Sequence, residues 1–308
     1  MTYYVGFDIG GTTTKYGLLD ETGKIIEHQK YDTFKDAEHN VQRIVEIVQD
    51  YQKKQKIAAV GVDCPGIVDQ NGFMITAGAI EGLYDFPLGQ TLRDALKLPV
   101  KVENDANAAA IAERWLGNAR DIDNYVCLVL GTGIGGGIVI NGAVYRGYHG
   151  LAGEIGWEIT HDLDFQDNFE SGSLNFSASV VTGLVRRYNL SLREYDPSLP
   201  EEQDAATIIG LAHDDDFIAR PIYQQFLSDV TVMLMNLIGT FDPGRILIGG
   251  GISANDTFMA DLQKTFDEYI RRHHGLNESA KHFHYDIQPA GLRNNAGLLG
   301  AVYPLTLA

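Results

Sequence analysis

The chain has 308 residues, 44% hydrophobic and 21% charged, with a net charge of −17. This is enough for one large or two medium domains with real cores. The acidity argues against a nucleic-acid surface, and no apolar run reaches the ~18 residues of a membrane span.

The first predicted strand, Tyr3-Tyr4-Val5-Gly6-Phe7, runs into Asp8-Ile9-Gly10-Gly11-Thr12-Thr13-Thr14, and Lys15-Tyr16-Gly17-Leu18-Leu19 reads as a second strand. The glycines therefore sit in a tight hairpin. Neither a dinucleotide fingerprint, which opens a helix, nor a Walker A loop fits this context. Gly10 and Gly11 allow close approach of backbone to a ligand, and the hydroxyls of Thr12 and Thr13 add donors suited to phosphate oxygens. Asp8, at the strand's end, is placed to hold Mg²⁺ directly or through water. Taken alone, the stretch reads nearly as well as a plain hairpin.

Farther on, residues 38–57 carry apolar residues at helical spacing, and 57–63 reads as a buried strand ending in the turn Cys64-Pro65-Gly66. A short helix is expected over 92–98, a strand over 99–103, and an alanine-rich helix over 106–117. Asp105 lies where that strand gives way to that helix. The carboxyl ends of strands are where ligands bind in α/β architecture, and a carboxylate there is placed to take a proton from an attacking hydroxyl. The plainer reading is that Asp105 caps its helix. A polar break at 121–124 marks a lobe boundary.

The second half repeats the opening device. Strand 125–130 leads into Gly131-Thr132-Gly133-Ile134-Gly135-Gly136-Gly137 and a further strand, which indicates two similar lobes. Residues 161–175 read as irregular and acidic. Helices are expected near 177–189, 203–213 and 217–240, then a strand over 245–248 running into Gly249-Gly250-Gly251, and a final small-residue helix over 296–302. Much of the excess of glycine, 34 residues against the usual ~7%, lies in these loops. Gly131, Thr132 and Gly133 read as a second phosphate clamp, and Gly249, Gly250 and Gly251 as a backbone surface for a nucleotide base. Glu154 can accept bonds from sugar hydroxyls, though an isolated glutamate is more often simply solvated. The histidine pairs at 273–274 and 282/284 lack companion ligands and read as non-metal. Cys64 and Cys127 lie in apolar stretches and read as buried free thiols, as in a cytoplasmic protein. No signal peptide is expected.

Together these motifs resemble the ROK family (repressors, open reading frames, kinases) of the actin-like, hexokinase-like ATPases. The resemblance rests on Asp8-Ile9-Gly10-Gly11-Thr12, Pro65-Gly66, Glu103-Asn104-Asp105-Ala106-Asn107, Gly131 to Gly137, Gly153-Glu154-Ile155-Gly156 and Gly249-Gly250-Gly251. It implies an α/β fold of two ribonuclease-H-like lobes around a central cleft. The expected division is 1–118 plus 296–308 for one lobe and 119–295 for the other. It further implies ATP and Mg²⁺ held by Asp8, Gly10, Gly11, Thr12, Thr13, Lys15 and the two later glycine loops. The sugar is expected on Gly66, Asn104, Asp105 and Glu154, with Asp105 as base, in a homodimer free of nucleic acid and membrane.

One departure stands out. A zinc motif of the family aligns on Trp157 and on Gln166, Asn168 and Ser173, none of them able to complete a structural zinc site, so no zinc is expected. Asn175 stands where the family has a second sugar-binding glutamate, Glu170 substitutes for it if the loop is shifted, and Trp157 offers a flat face for a sugar ring. The reading is thus an ATP-dependent sugar kinase acting on a hexose-type hydroxyl, the 6-hydroxyl, of unnamed sugar. The alternative is a catalytically idle sugar-binding or sensor protein. The repressor reading expects a helix-turn-helix ahead of the first glycine loop, and here only seven residues precede Asp8.

Overall fold

The structure, a computed structural model, describes residues 2–161, 163, 165–166 and 168–307. The opening hairpin forms as the sequence indicates. Strand β1 (Tyr3–Ile9) pairs antiparallel with β2 (Thr13–Asp20), with Asp8 opposite Lys15. Strand β3 (Ile25–Asp32) adds at the edge, antiparallel to β2. On the other side, β4 (Ile57–Cys64) joins β1 in parallel, and β5 (Val100–Asn104) joins β4 in parallel. The order is β3-β2-β1-β4-β5.

The second sheet contains β6 (Tyr125–Leu130), β7 (Ile134–Ile140), β8 (Ala143–Val144), β9 (Arg245–Gly249) and β10 (Ile287–Pro289), in the order β8-β7-β6-β9-β10. Counted from its own first strand, each sheet runs 3-2-1-4-5. The strand–glycine loop–strand repeat is therefore a repeat of topology.

The helices are α1 (Ala37–Gln52), α2 (Leu88–Leu96), α3 (Asp105–Trp115), α4 (Leu174–Ser177), α5 (Arg186–Tyr195), α6 (Ala205–His213), α7 (Ala219–Phe241), α8 (Asp256–Arg272), α9 (His274–Ser279) and α10 (Ala296–Thr306). Where one helix was expected over 177–189, α4 and α5 flank a π-helical stretch, Val180–Val185. The cause is local: the Ser179 hydroxyl accepts from the Gly183 N–H at 3.0 Å, and the Ser179 carbonyl from the Leu184 N–H at 3.0 Å. Helix α10 runs past Val302, with Pro304 in its last turn, where the proline takes away the N–H that would bond the Gly300 carbonyl. Among the described residues no helix is long and apolar enough to cross a membrane, and both cysteines are buried and free.

The chain forms two compact units. The first takes residues 1–123, 137–153 and 294–308, and the second 124–136 and 154–293. The first boundary falls in the polar break at 121–124, and segment 137–153 joins the first unit, apart from the lobe expected for it. In the first unit β1, β4 and β5 are buried on both faces, with Val5, Phe7, Val60, Val62 and Val102 in the core. Helix α10 lies against α3, β1 and β4. That packing depends on small residues, because a Cβ on Gly300 would fall on the Ala108 carbonyl of α3 and one on Gly61 on the Ala301 carbonyl.

Replacing Gly300 by alanine forces α10 off α3. Gly300→Ala should therefore destabilise the protein by about 1–3 kcal/mol, read as a lower urea midpoint with unchanged slope. An unchanged midpoint would show that the two helices separate freely.

Candidate functional site

In the first unit, parallel pairing sets three acidic residues in one row at the carboxyl ends of the strands. Asp8 on β1 is in register with Asp63 on β4, and Asp63 with Glu103 on β5. Each carboxyl is accommodated differently. Glu103, buried, is met by the Arg146 guanidinium (Nε–Oε1 3.2 Å) and by Asn107 Nδ2 at 3.4 Å. Asp8 pairs with Lys15 Nζ at 3.0 Å and keeps some exposure. Asp63 is fully buried, and neither carboxyl oxygen has a hydrogen-bond partner among the described residues. Burial first, then the charges of Asp8 and Asp105, push its pKa well above the carboxylate range against the pull of Lys15. These surroundings favour the neutral acid at Asp63, which lies between the ion-paired Asp8 and Glu103. Sequence reading treated Asp63 as the end of an apolar strand, and only the register reveals its surroundings.

Asp105 begins α3, but it is Asn104 that caps the helix: its Oδ1 accepts from the Asn107 N–H at 3.0 Å. The Asn104 Nδ2 donates to the Gly66 carbonyl at 3.0 Å and to Asp105 Oδ1 at 3.1 Å. Asn104 thereby ties the base candidate to the Pro65-Gly66 turn. Gly66 has φ +98°, and a Cβ there would strike the Thr76 carbonyl, so the turn requires glycine. Asp105 reaches water yet is crowded by protein. Loss of hydration raises its pKa to about 6; the Ala106 N–H at 2.8 Å and the Asn104 amide pull it down, and the charge of Asp8 raises it further.

The hairpin Gly10–Thr13 is closed by the Gly10 N–H to the Thr13 carbonyl at 3.1 Å. It is braced by residues that sequence reading missed. The Thr33 hydroxyl donates to the Gly10 carbonyl at 2.7 Å, the Thr33 N–H to the Thr12 carbonyl at 2.9 Å, and Lys35 Nζ to the Gly11 carbonyl at 2.7 Å. These carbonyls are thus turned toward protein donors. Among the described residues no group of three His, Cys, Asp or Glu side chains is arranged to hold a metal ion. Mg²⁺ asks less, needing one or two carboxylates while water and substrate phosphates supply the rest. Partly exposed Asp8 meets that requirement.

The second unit carries the other candidates. Its glycine loop closes in the same way, Gly131 N–H to Gly133 carbonyl at 2.9 Å. The Val180 N–H holds the Gly131 carbonyl at 3.0 Å and the Thr182 hydroxyl the Thr132 carbonyl at 2.8 Å. Asn175 Oδ1 accepts from the Ile134 N–H at 2.7 Å and lies where a Cβ on Gly133 or Gly156 would sit. Asn175 is therefore a brace for this loop. Of the third loop, Gly250 has φ +86° and lies against the Leu130 carbonyl at the end of β6, while Gly251 is open. Glu154 flanks the 3₁₀ turn Ile155–Trp157, and Glu170 lies exposed on a second such turn, Phe169–Gly172. Between these turns a pocket of about 390 Å³ is walled by Trp157, Ile159, Phe169 and Phe176. Two residues aligned with the family's zinc ligands, Trp157 and Ser173, line it; of the aligned stretch, Asp167 lies outside the described residues.

The ROK family model matches residues 4–306. The chain belongs to the ROK family. This ROK protein is 33% identical to a β-glucoside kinase of Listeria monocytogenes, over 96% of this chain and 95% of that one. It is 32% identical to a glucokinase of Halalkalibacterium halodurans, over 97% and 93% of the two chains. Among solved structures, a ROK glucokinase of Streptomyces griseus, in complex with glucose and AMPPNP, superposes with a TM-score of 0.77 at 29% identity, covering 97% of each chain. The fold is that of the actin-like, hexokinase-like ATPases.

Asn175→Ala removes the acceptor of a buried N–H, which costs about 1–3 kcal/mol. Amide hydrogen exchange over residues 131–136 should quicken in this variant, and unchanged protection there would show that the loop does not depend on Asn175.

Proposed function

We propose that this ROK protein is an ATP-dependent sugar kinase that phosphorylates a hexose-type acceptor at its 6-hydroxyl, with Asp105 as the base. The observation that carries this reading is the state of Asp105. Asn104 has taken over the cap, so the Asp105 carboxylate is left at the strand end, oriented by an amide and raised to a pKa of about 6. A base is most effective with a pKa near the working pH. Its relatives include a glucokinase and a β-glucoside kinase, which supports a sugar as acceptor.

In this reading one Asp105 oxygen accepts the hydroxyl proton as the acceptor oxygen attacks the γ-phosphorus, and the bond from phosphorus to the bridging oxygen breaks to release ADP. Asp105 later gives the proton to solvent. Asn104 keeps the carboxylate aimed, and Gly66 holds the turn that carries Asn104. Lys15 limits the negative charge at Asp8, the residue that would hold Mg²⁺. Mg²⁺, when bound, neutralises charge on the phosphates. Backbone N–H groups of Gly11 to Thr13 and of Gly131 to Gly133 supply phosphate donors, Gly249 to Gly251 receive the base, and Glu154 with Trp157 contacts the sugar. A homodimer and a cytoplasmic location complete the reading.

ADP release with Mg-ATP and a panel of hexoses should show turnover by the wild-type protein. Asp105→Asn should lower kcat by about 10²–10⁴ while sugar-dependent thermal stabilisation persists. Full activity in that variant would remove Asp105 from the role of base, and no turnover on any sugar would favour the idle binder.

A further inference from the structure

The pocket between the two 3₁₀ turns of the second unit shares Trp157 with the proposed sugar contact, but its other walls have no role in the reaction described above. Its walls are unusual for a protein surface. Trp157 is 53% exposed, Ile159 48% and Phe169 49%, side by side. Phe165 meets Phe169 edge-on at 5.7 Å between centroids. Clustered exposed apolar side chains mark a binding site far more often than scattered ones do. The volume, about 390 Å³, falls within the range of small-molecule sites.

We propose that this pocket receives the aglycone of the sugar acceptor, and that the aglycone is a neutral aryl group. The proposal rests on the kinase reading for the acceptor, and three observations select the occupant. First, the pocket adjoins the segment proposed to bind the sugar, because Trp157 of its wall donates its N–H to the Glu154 carbonyl at 3.0 Å within a single turn. A group attached to a sugar at Glu154 thus lies one turn from Trp157. Second, polar partners are few. Among the described residues the lining offers Glu170, Ser173, Asn175 and the Trp157 indole N–H as polar groups, and Asn175 Oδ1 is already engaged by Ile134. A second sugar ring carries several hydroxyls that would need partners, and leaving them unmet is costly. An aryl ring needs none and gains edge-to-face and stacked contacts. Third, among the described residues no lysine, arginine or histidine lines the pocket and Glu170 does, Arg186 lying over the Phe176 ring at 5.1 Å without lining it, so an anionic aglycone is disfavoured.

The test compares phenyl glycosides of both anomers with the matching methyl glycosides, built on whichever free hexose the wild-type enzyme turns over best. The expected result is a kcat/KM at least about tenfold higher for a phenyl glycoside, of the size a filled apolar pocket gives. Phe169→Ala, at a half-exposed position, should bring the phenyl-to-methyl ratio close to one. Equal kcat/KM for phenyl and methyl glycosides in an active enzyme would overturn the proposal. A binding measurement separates it from the kinase reading. The chain has two tryptophans, and Trp115 is stacked on Tyr303 in the first unit. A nitrophenyl glycoside should quench the Trp157 fluorescence saturably, and Phe169→Ala should weaken this about tenfold. Quenching without turnover would retain the aryl pocket and sink the kinase; turnover without quenching would do the reverse.

Discussion

Parallel pairing of β1, β4 and β5 is the constraint on which the first unit depends. It brings the strand ends level and so forces Asp8, Asp63 and Glu103 into one row. Three adjacent carboxylates in a poorly hydrated place cannot all be charged at little cost. The fold answers with a cation for Glu103, a cation for Asp8 and burial that raises the pKa of Asp63. Asp105, on the residue after β5, feels the charge of Asp8 and the same loss of water, and its raised pKa follows from that setting. The reactivity proposed for Asp105 is thus a consequence of sheet register.

The same topology appears twice with different supports. In the first unit the glycine hairpin is held from outside by Thr33 and Lys35, at the end of the edge strand and just beyond it. In the second, the loop is held by Asn175 and by the start of the π-helical stretch through Val180 and Thr182. In both, side chains and N–H groups from elsewhere occupy the loop carbonyls. This fixes the backbone shape of both loops, which the kinase reading needs for phosphate binding. Asn175 also lines the aromatic pocket, so the loop and the pocket share one side chain.

Much of this was legible in the sequence wherever a single stretch carried the signal. The apolar runs of β1, β4, β6 and β9 and the glycine turns between strands lie where periodicity and turn chemistry put them. Strand β3 did not show, because Ile25–Asp32 is an edge strand whose charged residues face solvent. Strand β10 ends in Pro289 and owes its existence to β9. Helix α8 was readable but passed over: Asn255 caps it, and Phe258, Leu262, Phe266 and Ile270 recur every four residues. The site divides in the same way. Asp105 and the glycine loops stand out from local pattern. The burial of Asp63, the Glu103–Arg146 pair across 43 residues and the bracing by Thr33 arise from long-range register, which no local window contains.

The central claim is that Asp105 acts as a base whose pKa its surroundings have raised. The pH dependence of kcat/KM, measured with saturating Mg-ATP, reports that ionisation in the enzyme before sugar binds. The account predicts a one-proton acid limb centred near pH 6, activity being lost as Asp105 takes up its proton below that value. A rate that holds level down to the ordinary aspartate range, about pH 4, would contradict it.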